Sequence, residues 1–261
     1  MSVDAILPAP KTAPATPVPS ATAPPAVPGV TAPPAAPPEA PLPAGGLPLL
    51  ERLLRDRKRI TEAILRGSAP ARLTTGLVAI AALGAATYGA AVGFVGGPLQ
   101  AVSTAIKLPI VLLGAAAISL PVLHVSCALV GAETRWSQLR DLVLQALSTA
   151  TITMAGLAPL VTIGWLSCGV NAEDWYVYRR VVLGAVFVGG IGGLVGAGRL
   201  LRSVPLTAAA PWTIAFGLSA MQLSWLLRPL VGNPDSRFVV LRPLESNVVT
   251  EVLTALAAVL S

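Results

Sequence analysis

Five apolar runs follow one another between residues 73 and 227, and none of them contains an aspartate or a glutamate. They lie at about 73–95, 104–130, 142–167, 181–198 and 205–227. A helix needs about 20 apolar residues to cross the hydrocarbon core of a bilayer, and each run reaches or approaches that length. None alternates polar and apolar residues as a barrel strand does, so each reads as a helix. Only 11% of the residues are charged, against about 25% in an ordinary soluble domain. With 54% hydrophobic residues and a mean hydropathy of +0.74, most of the surface must face something other than water. The expected fold is an all-α membrane protein, with a bundle of about five transmembrane helices over residues 72–229.

The residues before the first run are of two kinds. Fifteen of the 25 prolines fall within residues 1–48, in a Pro/Ala-rich stretch with no apolar pattern to bury. Such a segment is expected to be a disordered tail with polyproline II character, acting as a spacer or docking a proline-recognising partner. Its start, "MSVDAILPAPK", carries an acid where a signal peptide has a basic region, so no cleaved secretory signal is expected. Residues 49–67 change character. Leu50, Leu53, Leu54, Ile60 and Ile64 recur at helical spacing among Arg52, Arg55, Arg57, Lys58, Arg59 and Arg66, and Gly67 and Pro70 end the pattern. This reads as one basic amphipathic helix lying on an anionic leaflet, each basic residue adding about 1 kcal/mol. The alternative is a helix packed on the protein's own loops.

Basic residues set the expected orientation. With the N-terminus in the cytoplasm, Lys11, the six basic residues of the amphipathic helix, Arg72, Arg135, Arg140, Arg199 and Arg202 lie inside. Lys107, Arg179, Arg180, Arg228, Arg237 and Arg242 lie outside. That excess of basic residues inside, strongest beside the first run, places the N-terminus in the cytoplasm and the C-terminus outside. Trp165, Trp175, Tyr176 and Tyr178 then form an outer aromatic belt. Cys127 and Cys168 end up on opposite sides, so no disulfide between them is expected, and they form no CxxC pair.

The second run, "KLPIVLLGAAAISLPVLHVSCALVG", holds one charge, two prolines and the chain's single histidine. Lys107 is expected at the helix end, snorkelling to headgroups, with Pro109 in the first turn. Pro121 is expected to kink the interior, its freed carbonyl satisfied by Ser119 or a neighbouring helix. His124 lies about 25 Å along the helix from Lys107, so the two cannot meet on a straight helix. As a proton relay or metal ligand His124 lacks partners: there is no second histidine and no acid in any run. A neutral imidazole bonded to a neighbouring helix is the reading the residues favour. HExxH, GxSxG and a phosphate-binding glycine loop are all absent. No enzyme activity, metal or cofactor is expected, and His124 with Cys127 would be the remaining intramembrane combination.

Two further features concern interfaces. Gly89/Gly93, Gly93/Gly97, Gly189/Gly193 and Gly192/Gly196 are GxxxG pairs that let helices approach closely, with packing inside the chain expected over packing between subunits. After the fifth run, Gln222 and Trp225 share one turn, and Arg228-Pro229 is repeated as Arg242-Pro243 around "VGNPD". Residues 230–261 are therefore expected to form an outer hairpin followed by a short helix near 248–260.

The stretches "KLPIVLLGAAAISLPVLHVSCALVGAE", "STATITMAGLAPLV" and "WLLRPLVGNP…LRPLESN" resemble a group of bacterial multi-pass proteins that are broadly Yip1-like in architecture. The resemblance covers about 100–250 and implies a cytoplasmic N-terminal region before five spans, with a membrane-organising or trafficking-like role and no catalytic residue. Together with heavy Ala, Gly, Pro and Arg usage it points to a bacterial inner membrane. The expected function is a non-enzymatic scaffold or accessory subunit. Its partners would be the lipid bilayer and a protein reached through the tail or the GxxxG faces, not nucleic acid. The alternative is a transporter or channel with a pathway near Lys107, His124, Gln222 and Arg228.

Overall fold

Helices account for nearly all of what the computed structural model describes, residues 46–167 and 175–230, without the side chains of 175–181. Among the described residues seven α-helices follow in order: α1 Gly46–Arg55, α2 Arg57–Leu65, α3 Leu73–Gly93, α4 Pro98–Leu129, α5 Trp136–Ser167, α6 Trp175–Leu200 and α7 Leu206–Leu226. No strand occurs among the described residues. Four helices among the described residues are long and apolar enough to cross a membrane: Leu73–Gly96, Pro98–Leu129, Trp136–Ser167 and Val182–Leu200. The fifth expected run does fold as a helix, the 21-residue α7, but it is not among these four.

The long helices alternate in direction. α3 packs between α4 and α5, α6 packs on α5, and α7 packs on α4. We call the end that carries α1, α2, the last turn of α4 and the first turn of α5 proximal, and the other end distal. Glycines allow the close approaches on either side of α3. A Cβ on Gly89 would sit 2.6 Å from the Thr104 carbonyl oxygen of α4, and one on Gly84 2.8 Å from the Thr151 carbonyl carbon of α5. Gly192 and Gly196 of α6 lie in the same way against Ala150 and Ala146 of α5. These GxxxG faces are therefore used inside the chain. Gly193 differs: nothing lies within 4 Å of its Cβ position.

The start of α4 departs from expectation. Phe94–Gly96 forms a 3-10 turn, Gly97 takes φ +93, and Pro98 occupies the first turn of the helix. Only glycine adopts that backbone angle without strain, and proline at N1 gives up a donor that has no partner there anyway. The first-turn proline is thus Pro98. Pro109 is interior, as is Pro121, and Lys107 lies more than two turns inside the helix instead of at its end. Ser119 does not reach the carbonyl that Pro121 frees; its hydroxyl donates to Ala116 at 3.3 Å.

The basic amphipathic segment is also built differently. It is two helices broken at Asp56, α1 against α3 and α2 against α5. Its apolar stripe, Leu49, Leu53, Ile60 and Ile64, is 0–1% exposed and belongs to one core with Leu73, Leu77 and Leu139. These four residues cover the bundle's proximal end, while Leu54 of the same segment is exposed. Each Leu or Ile so buried contributes about 1.5–3 kcal/mol, more than an exposed charge pair such as Arg55–Glu51 supplies.

Candidate functional site

Two polar clusters interrupt the apolar bundle, one at each end. The distal cluster gathers Lys107, Trp225 and Arg228 of the residues singled out in the sequence, and adds Gln100 and Thr104. Gln100, Thr104 and Lys107 stand at i, i+4 and i+7 on one face of α4, and all three are buried. The chain leaving α7 passes over this face. The Lys107 ammonium donates to the Pro229 carbonyl at 3.1 Å, and the Gln100 amide donates to the same oxygen at 3.0 Å. The Thr104 hydroxyl reaches the Leu230 carbonyl at 2.6 Å. Proline supplies no backbone donor, so Pro229 presents its carbonyl alone and the side chains of α4 satisfy it. Beside this latch the Arg228 guanidinium lies 4.0 Å from the centre of the Trp225 ring, in cation–π contact.

The other expected site residues do not join this cluster. Gln222 is half-buried on α7 and makes no side-chain hydrogen bond among the described residues. Pro121 faces outward. His124 sits near the proximal end of α4, half-buried, with its ring 5.4 Å from that of Trp136 and nearly perpendicular to it. Its Nδ1 is enclosed and has no hydrogen-bond partner, so an edge-to-face ring contact replaces the expected hydrogen bond. Between Lys107 and His124 the buried positions of α4 are Val111, Ala115, Ala116, Ser119, Leu120 and Leu123, apolar except for one hydroxyl. Arg242, its proline, the expected hairpin and short C-terminal helix, Cys168 and the Pro/Ala tail up to residue 45 lie outside the described residues. So do the side chains of Trp175, Tyr176, Tyr178, Arg179 and Arg180. Cys127 is free and buried. No group of three or more His, Cys, Asp or Glu side chains able to hold a metal occurs among the described residues.

The proximal cluster was not foreseen. α5 begins at Trp136, so Asp141 falls inside the helix instead of before it. Asp141, Gln145 and Ser148 follow at i, i+4 and i+7, the same spacing as on α4. Thr74 donates to the Asp141 carboxylate at 2.9 Å, and Arg140 pairs with that carboxylate at 3.0 Å. Thr61 donates to the Gln145 carbonyl oxygen at 3.1 Å, and the Gln145 amide donates to the Arg57 carbonyl at 3.2 Å. Ser148 reaches the carbonyls of Leu77 and Leu144. Gln138 donates to the last carbonyl of α2, Leu65, at 2.8 Å. α5 is thus the post to which α2 and α3 are tied. The polar spacing inside an apolar run was the available signal.

The basic residues of the amphipathic segment have separate places. Arg52 is half-buried with its Nη1 enclosed. Arg55 pairs with Glu51, and Arg66 pairs with Glu62 at 3.0 Å. Arg55, Arg57 and Lys58 line a cavity of about 500 Å³ between α2, α5 and the end of α6, and Arg59 is half-buried on the same helix. Comparison with protein-family models, curated proteins and solved structures gave no match.

Proposed function

We propose that this chain is a five-span, non-enzymatic scaffold or accessory subunit of a membrane complex, in a bacterial inner membrane, with its N-terminus cytoplasmic and its C-terminus outside. The observation that carries this reading is the apolar buried side of α4 between Lys107 and His124. A transport path along these residues would need polar groups or water-sized space there, and the helix supplies neither the charge nor a row of hydroxyls. The Yip1-like motifs agree with a membrane-organising role. A partner has a face to meet on α6, which has only 17% of its apolar window buried and turns Phe187 and Leu194 outward.

The experiment is purification of the full chain from native membranes in mild detergent, with mass spectrometry of what accompanies it. A stoichiometric partner lost on Phe187→Arg or Leu194→Arg supports the accessory-subunit reading. A homo-oligomer without a partner that moves solute across liposomes overturns it. That second outcome would select the transporter reading, which one feature favours. The polar row of α5 from Asp141 to Thr151 penetrates about 15 Å into the bundle from the proximal end.

A further inference from the structure

We infer that the cavity at the proximal end is a binding site for a phosphate-bearing anion, held between the α1–α2 break and the end of α6. Two sets of cations far apart in sequence converge there: Arg55, Arg57 and Lys58 from one side, Arg199 and Arg202 from the other. Five cations face a cavity whose only carboxylates among the described residues are Asp56 and Glu62. Glu62 is already engaged by Arg66, while Arg57, Arg199 and Arg202 have no carboxylate within 4.0 Å among the described residues. Arg199 is close enough to feel both Arg57 and Arg202 as like charges. Like charges drawn together by the fold repel one another, and an anion between them reverses the sign of that interaction. Guanidinium groups match phosphate oxygens two at a time, which suits this ligand class.

The floor of the cavity is preorganised. Gln145 is fixed by Thr61 and by the Arg57 carbonyl, and the Thr149 hydroxyl is used on the Gln145 carbonyl at 2.9 Å. These bonds use the backbone of Arg57 and leave its guanidinium free of them. At about 500 Å³ the space accommodates a substituted phosphate and not merely an ion. The apolar window of α6 ends at Leu200, beside the pocket. The cations therefore stand where an apolar span gives way to water, the level of lipid headgroups. An anionic phospholipid is one source of the phosphate and a soluble phosphate compound is the other. The lipid source rests on the membrane reading above, whereas the pocket itself does not.

The test uses the full chain in a neutral detergent, with phosphatidylglycerol and phosphatidylcholine as lipid probes and inorganic phosphate as the soluble probe. Native mass spectrometry reads lipid binding, and the unfolding midpoint reads phosphate binding. Preference for phosphatidylglycerol, weakened about 30-fold in R199Q/R202Q and unchanged in the equally charged R72Q/R135Q, supports a lipid headgroup. A midpoint raised by inorganic phosphate in the parent chain but not in R199Q/R202Q supports a soluble phosphate compound. Arg202 is exposed, so R202Q alone is a second variant that keeps the fold, and it should weaken binding several-fold. Equal binding of both lipids with no response to phosphate overturns the inference, as does an equal loss in R72Q/R135Q. Release of the chain from membranes by salt alone, without detergent, would instead sink the membrane reading and leave the pocket to the phosphate arm.

Discussion

The Lys107 ammonium and the Pro229 carbonyl meet at 3.1 Å across 122 positions of sequence. This bond ties the start of α4 to the chain that leaves α7, and it gives a buried cation a hydrogen-bond acceptor. The Gln100 amide shares the same oxygen at 3.0 Å. Lys107→Met should therefore lower stability by only about 1 kcal/mol, because the carbonyl keeps one donor. Gln100→Leu should behave similarly. The double variant leaves a buried carbonyl with neither donor, and its loss should exceed the sum of the two. A double-mutant cycle on unfolding in detergent measures this, and simple additivity would show that the two donors do not share one acceptor.

Glycines of like sequence context should respond with opposite signs. A Cβ at Gly89 meets backbone atoms of Thr104 and Ala105. Backbone cannot swing aside, so Gly89→Ala should force α3 and α4 apart and cost about 1–3 kcal/mol. Gly193 has open space around it, so Gly193→Ala should stabilise by up to about 1 kcal/mol through backbone entropy. Unfolding midpoints of the two variants, measured side by side, should move in different directions.

The helices were legible in the sequence because an apolar run without acids has few other solutions. Their ends were less so. Periodicity finds where apolar residues stop, and α4 and α5 continue through polar residues that are buried: Gln100 in one, Asp141 in the other. Those residues look like loop by composition and are helix because the opposing chain supplies their hydrogen bonds. Lys107 illustrates the same limit. A lone lysine at the edge of an apolar run reads as an anchor in headgroups, and only tertiary contact with Pro229 makes it a latch. The convergence of Arg199 with Arg57 was illegible for a related reason, since charge counting by side sums residues without placing them. His124 could be assigned no chemistry from sequence, and its contact with Trp136 supplies a packing role.

The carboxylate of Asp141 should act as a joint between α3 and α5. It accepts from Thr74 and pairs with Arg140, whose Nη2 in turn donates to Thr74 at 2.9 Å. Asp141→Leu would leave the Thr74 hydroxyl and the Arg140 guanidinium without that acceptor, costing about 1–3 kcal/mol. Arg140→Gln should cost less, because the Arg140 side chain is 42% exposed and solvent screens its share of the pair. Denaturation of each variant, compared with Asp141→Asn, should rank the losses with leucine largest. Equal losses for Asp141→Leu and Arg140→Gln would mean the ion pair, and not the buried acceptor, carries the joint.

The apolar stripe of α1 and α2 separates two accounts of the basic segment. If it lay in lipid, truncating it would weaken membrane attachment of that segment and leave the bundle's stability alone. In the structure Leu53 and Ile60 are 1% and 0% exposed and pack in the proximal core. Leu53→Ala and Ile60→Ala should each therefore destabilise the bundle by about 2–5 kcal/mol through lost burial and the cavity left behind. Leu54 is 52% exposed, and Leu54→Ala should cost little. The measurement is the unfolding midpoint of the three variants in a lipid-free detergent, where no leaflet can contribute. A midpoint for Leu53→Ala or Ile60→Ala equal to that of the parent chain would return the stripe to the lipid surface.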